Sequence, residues 1–488
     1  MITSDPQRTK TWVAMGSVFF FMLIASLAIL SRGTYGGADD MVHYQFSRYA
    51  WGKPELLLDH WAKPFYTLLA SLFARFGFNG VRVMNALFAT LSAYMVFRFQ
   101  HSRGLPYSGW GLLLCITSPL YFMMAGTGMT EILFGFMLLM ATLLFIRRKY
   151  SVSMLLLSFL PFVRTEAVVF FPVFLVALAI VRDWKPLLLL PAGFIIYSLA
   201  GYSTYDDLWW VINRMPYTGA RDIYGQGSLF HFAGEAHRIF GIPLLVFFLW
   251  GMVRRLSGLL SRKKAQKAEE FLWFLLVYLS PLVYFTAHSV VWWQGWGGSL
   301  GLPRVMTVIV PVMSIGAAEG IFFLIRLIKR SGWPAILLQL VTAVVLIWQL
   351  TAWYDHPTMR DAETDLVYRA CQWIKKEGYD SRKIYYYNPF VPYYLGINPW
   401  DTDRSWEKVP DPENPGGGIG EGEIVIWDSH FGPNEGRLPA ETLDRDSSLI
   451  LLRVFEPDLP FTVLGNEPYQ IKMYMKKNGS SGGKNGNT

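Results

Sequence analysis

Nine charged or imidazole side chains crowd residues 36–63, GGADDMVHYQFSRYAWGKPELLLDHWAK, a stretch between two apolar runs. Adjacent Asp39 and Asp40 lead it. Neighbouring carboxylates repel, which pushes one pKa up while the other stays low. A carboxylate so placed can take the proton from an attacking hydroxyl. The alternative is architectural, since an acid ahead of an amphipathic stretch commonly caps a helix. His43 lies one turn beyond the pair and suits substrate contact. His60 and Lys63 suit a phosphate, or act as interfacial charges.

Four further places carry chemistry. Arg164 and Glu166 sit in a turn between two short apolar runs, at membrane depth. Charge there is costly and faces a cavity or a partner. A guanidinium in that position can grip a lipid phosphate through two parallel hydrogen bonds, or pair with Glu166. Glu131, on a tight turn, assists substrate binding or caps a helix. Arg304 follows Gly297, Gly298, Gly301 and Pro303, and glycines let backbone approach a ligand. Trp292, Trp293 and Trp296 read first as an interfacial aromatic belt, with sugar stacking on Trp296 the second reading. Residues 203–241, with Tyr217 and Arg221, read as a substrate-binding lid or a structural cap.

The elements that hold these residues are membrane spans. Hydrophobic residues make up 52% of the 488 and charged residues 16%, and mean hydropathy is +0.28. Apolar runs of ~20 residues exclude charge and cross a bilayer. About eleven can be placed: 11–30, 81–99, 107–124, 130–146, 152–163, 167–181, 187–202, 243–253, 271–288, 305–328 and 334–353. Residues 64–76 are too short and read as an interfacial helix. Every strongly basic connector falls on one side, which puts the N-terminus in the cytoplasm. The first external loop (32–80) and residues 203–241 then lie outside.

Residues 1–355 therefore form a polytopic all-α domain. From residue 356 the pattern changes to one helical stretch (361–376) and short strands at 383–387, 423–427, 448–455 and 470–475. These predict a small extracytoplasmic α/β domain (356–475), followed by a disordered Gly/Ser/Asn tail (476–488). Two cysteines, Cys115 in an apolar run and Cys371 in the polar region, provide no disulfide framework and no zinc spacing. The net charge of +8 sits in span connectors rather than in a basic stripe, which argues against nucleic acid.

An Asp-Asp pair in a large first external loop, followed by His43-Tyr44 and Arg48-Tyr49-Ala50, resembles the GT-C glycosyltransferases that use polyprenyl-phosphate sugars. The resemblance implies that Asp39 is the general base and Asp40 a supporting or metal-facing residue. It also implies that Arg304, before a late span, meets the donor phosphate. The expected activity is transfer of a hexose or pentose from a polyprenyl phosphate to a lipid, glycan or protein hydroxyl, with inversion, on the outer face. In a bacterium that is the periplasmic face of the inner membrane. No cofactor follows with certainty, and a divalent metal is left open. The rival readings are a lipid-linked saccharide transporter or flippase, a ligase or polymerase of lipid-linked glycans, and a non-enzymatic scaffold.

Overall fold

A computed structural model describes residues 6–216, 224–261, 264–328 and 332–478. The chain divides into two compact units, 1–36 with 46–359, and 37–45 with 360–488.

The first unit is helical. Among the described residues seven helices are long and apolar enough to cross a membrane. They are Thr9–Leu30, Phe78–Ser102, Lys185–Tyr205, Ile242–Leu260, Lys267–Gln294, Pro303–Leu327 and Trp333–Ala352. Shorter apolar helices are Pro64–Ala74, Glu131–Ile146, Tyr150–Phe162 and Thr165–Val181. The run expected to cross at 107–124 breaks into Gly109–Ile116 and Pro119–Met124. Pro119 donates no backbone hydrogen bond and turns Ser118 to extended geometry. Gln349 donates to the carbonyl freed at Thr117 (2.8 Å), and the Ser118 hydroxyl donates to Ile239 O (3.0 Å).

Pro303–Leu327 is the centre of this unit, with 83% of its apolar window buried, against 22% for the first helix. It packs closely on Ile242–Ser261 through glycine. A Cβ at Gly320 would stand 1.8 Å from Phe247 O, and one at Gly251 2.6 Å from Gly316 O. Gly316 and Gly320 are four apart and share a face, as in membrane helix pairs that meet backbone to backbone. Beside this contact Glu319, buried mid-helix, accepts from Tyr278 (3.0 Å), Trp273 (3.1 Å) and Arg255 Nε (3.0 Å). Arg255 also reaches Glu270 at 2.9 Å.

The second unit holds a five-stranded sheet. Its strands are β1 (Ile384–Tyr386), β2 (Ser405–Glu407), β3 (Ile424–Asp428), β4 (Leu449–Phe455) and β5 (Ile471–Lys476), in the order β2-β1-β3-β5-β4. The first three are mutually parallel and the last two antiparallel. β2 was not anticipated, because three residues with a single inward side chain leave no alternation to read. Helix Ala362–Lys376 is capped by Asp361, which accepts from Thr364 N at 2.7 Å, and buries Leu366, Val367, Ala370, Cys371 and Ile374. The unit begins at Arg360 rather than at 356, and β5 runs through Lys476, the first residue of the expected tail. Residues 479–488 lie outside the described residues.

Candidate active site

Glu131 opens its helix and is completely buried. Two arginines converge on its Oε1: Arg164 Nη1 at 2.8 Å and Arg304 Nε at 3.4 Å. Arg164 is extended between two 3-10 segments, Leu160–Phe162 and Thr165–Phe170. That geometry lets it reach Glu166 Oε1 with Nε (2.5 Å) and Thr130 Oγ1 with Nη1 (2.9 Å). Arg304 lies in the 3-10 turn Pro303–Ile309, and the Thr307 hydroxyl donates to its carbonyl. Its Nη1 donates to Gly36 O at 3.0 Å. Tyr284, stacked on Phe170, and His288 one turn later line the same cluster.

Lys63 joins this group. It is 5% exposed, and its charge acts on both Glu166 and Arg164. Burial pushes its ammonium down to about 7; Glu166 and Asp59 work against that shift and Arg164 with it. Lys63 Nζ donates to His60 O at 3.2 Å. The His60 ring is also pushed down, to about 4, by burial and by Lys63, so it is neutral at pH 7. His60 therefore backs Lys63 through its carbonyl, with its ring edge-on to Trp210. Lys63 itself holds φ 68°, a conformation a side chain adopts only at a cost of about 1–3 kcal/mol. Three cations thus surround fully buried Glu131 and partly exposed Glu166, with half-buried Asp59 adding the weakest field. Such a group is lined by guanidinium and ammonium donors.

Asp39 and Asp40 lie in the first turn of helix Gly37–Tyr49. Gly36, not an acid, is the N-cap, so neither carboxylate caps the helix, although both favour its dipole. Asp40 is fully buried, Asp39 half-buried and His43 5% exposed.

The remaining predicted residues fall elsewhere. Trp296 is 59% exposed on the glycine loop. There Gly297, Gly298 and Gly301 all take positive φ, and a Cβ on Gly301 would meet the Trp292 ring at 2.6 Å. Tyr217 and Arg221 lie outside the described residues. Part of the expected 203–241 loop is ordered helix, His231–Ile239, and Trp210 within it is fully buried. Among the described residues no three His, Cys, Asp or Glu side chains are grouped to hold a metal ion. Thr130, Tyr284 and His288 escaped the sequence reading. The two aromatic residues carried a signal, being polar-tipped and four apart on an apolar helix.

The fold combines a polytopic helical unit with a small mixed sheet near the C-terminus. Two solved structures share it. ArnT from Cupriavidus metallidurans bound to undecaprenyl phosphate superposes with a TM-score of 0.60 at 10% identity, covering 95% of this chain and 98% of that one. The apo state of the same ArnT gives 0.53 at 10% identity, with 96% and 98% covered. No protein-family model matches the sequence, and no curated protein does. The likeness is one of fold, carried by an integral-membrane architecture.

Proposed function

We propose that the protein transfers a sugar, hexose or pentose, from a polyprenyl-phosphate donor to an acceptor hydroxyl on the extracytoplasmic face. The observation that carries this reading is the convergence of Arg164 and Arg304 on fully buried Glu131, with Lys63 acting on Arg164 and Glu166. Arg164, Arg304 and Lys63 hold the donor phosphate. The undecaprenyl phosphate bound by ArnT supports a carrier of that chemistry. Asp39 takes the proton from the acceptor hydroxyl, whose oxygen attacks the anomeric carbon. The carbon–oxygen bond to phosphate breaks on the opposite side, the configuration inverts, and the electron pair leaves on the phosphate. The cations stabilise that developing charge without reorganising. Glu131 and Glu166 keep the guanidinium planes fixed while the site is empty, so the donor meets oriented groups.

Asp39→Asn tests the reading. Transfer falls by about 10³-fold or more, given the usual 10²–10⁴ of a general base, while undecaprenyl phosphate binds as before. Full transfer by Asp39→Asn refutes the assignment.

A further inference from the structure

The sheet of the second unit has a topological switch point. The chain leaves β1 for β2 on one side and then crosses to β3 on the other. In open α/β sheets the crevice outside the carboxyl ends of such a strand pair is where ligands bind. Here a segment of the protein's own chain packs at that end. Residues 37–45 belong to this compact unit, although more than 300 residues separate them from the rest of it. Gln45, buried at 6% exposure, donates from Nε2 to Pro389 O at 2.8 Å, just past the end of β1. Ala38 packs on the aromatic core that includes Tyr387 after β1 and Trp427 on β3. Tyr44 meets Tyr393 edge-on with centroids 6.0 Å apart.

The platform under Gln45 is itself braced. Asn388 Oδ1 accepts from Phe390 N (3.0 Å), and its amide donates to Glu363 Oε1 (3.1 Å). His430 Nδ1 contacts the same carboxylate at 3.0 Å. A 13-residue helix has little stability of its own and takes its orientation from what it packs on.

We propose that the C-terminal α/β domain is the positioning frame of the catalytic base: its β1/β3 crevice grips the helix through Ala38, Tyr44 and Gln45, and so fixes where Asp39 stands. This rests on the reading of Asp39 as the base. Gln45 is a positioning residue that touches neither donor nor acceptor. A base displaced by ~1 Å loses up to about 10²-fold in rate.

The test uses the full-length protein with Gln45→Met and Gln45→Glu, both close in size and neither a donor at neutral pH, and with Tyr393→Leu as an independent variant. Three quantities are measured: kcat, its pH profile, and the Kd for undecaprenyl phosphate. The expected result is a fall in kcat of about 10- to 100-fold, with Kd within twofold and the pH midpoints unmoved. A structural defect would instead weaken Kd along with kcat. The proposal is overturned if kcat is unchanged in all three variants, or if Kd weakens in step with kcat. Asp39→Asn separates the two readings. If it retains transfer, the base assignment fails. If it abolishes transfer while the Gln45 and Tyr393 variants keep full kcat, only the positioning role fails.

Discussion

At Lys63 a cation is buried almost completely, held at positive φ, and pushed down to about 7 by that burial. The groups that face it are Glu166, Arg164, Asp59 and the His60 carbonyl. In the empty protein it is charged below pH 7 and neutral above. A bound phosphate favours the charged form and raises the pKa. Affinity is therefore greatest below pH 7 and falls as pH rises through 7 toward the bound-state value. The expected outcome is that undecaprenyl phosphate binding weakens about tenfold more between pH 6 and pH 8 in the wild type than in Lys63→Met. The lipid's own ionisation is common to both proteins and cancels in the comparison. Parallel slopes by titration at the two pH values would show that Lys63 does not meet the phosphate. The sequence exposed Arg164 as a charge between two short apolar runs, Lys63 as a charge beside the Asp pair and Arg304 as a cation after a glycine-rich loop. It did not expose the convergence of Arg164 and Arg304 on one oxygen of Glu131, because positions 131, 164 and 304 lie on three separate segments that only packing brings together.

At the scale of elements, what was legible followed from local covalent limits. The apolar runs at 152–163 and 167–181 are too short for ordinary crossings, and the structure closes both with 3-10 turns around Arg164. The break at Thr117–Ser118 was hidden inside a continuous apolar run and signalled only by Ser118-Pro119. Glu319 was hidden in the same way: one acid in a span, whose partners Arg255, Trp273 and Tyr278 lie on other segments. The membership of residues 37–45 in the C-terminal unit was not legible at all, since nothing local ties Gln45 to Pro389. The glycines of the central helix pair allow a direct test of packing. Gly320→Ala puts a methyl group against Phe247 O and should cost about 3 kcal/mol through forced backbone separation. Gly258→Ala, on Ile242–Ser261 with nothing within 4 Å, should be neutral or slightly stabilising. Thermal unfolding of the two purified variants in detergent checks both, and equal midpoints would contradict the close approach.

For the whole molecule the decisive property is the side on which each charged connector lies. Basic residues cluster at 98–103, 147–149, 182–185, 254–267 and 326–330, whereas the acids, aromatics and glycines proposed for donor and acceptor cluster at 36–63, 131, 164–166, 203–241 and 297–304. These two sets alternate along the chain, as successive crossings require. Lys and Arg in short connectors are retained in the cytoplasm, and on that rule we propose that the second set lies outside. Buried Cys115 and Cys371 give little background to a membrane-impermeant maleimide. Glu413→Cys, on an exposed segment of the α/β domain, should therefore label in intact cells. Gly258→Cys should label only after permeabilisation. The reverse pattern would put Arg164 and Arg304 on the cytoplasmic side, within reach of nucleotide-activated sugars, and would remove the reason for a lipid-linked donor. The orientation of the chain and the chemistry of its donor thus stand or fall together, because a polyprenyl carrier is needed only where soluble activated sugars are absent.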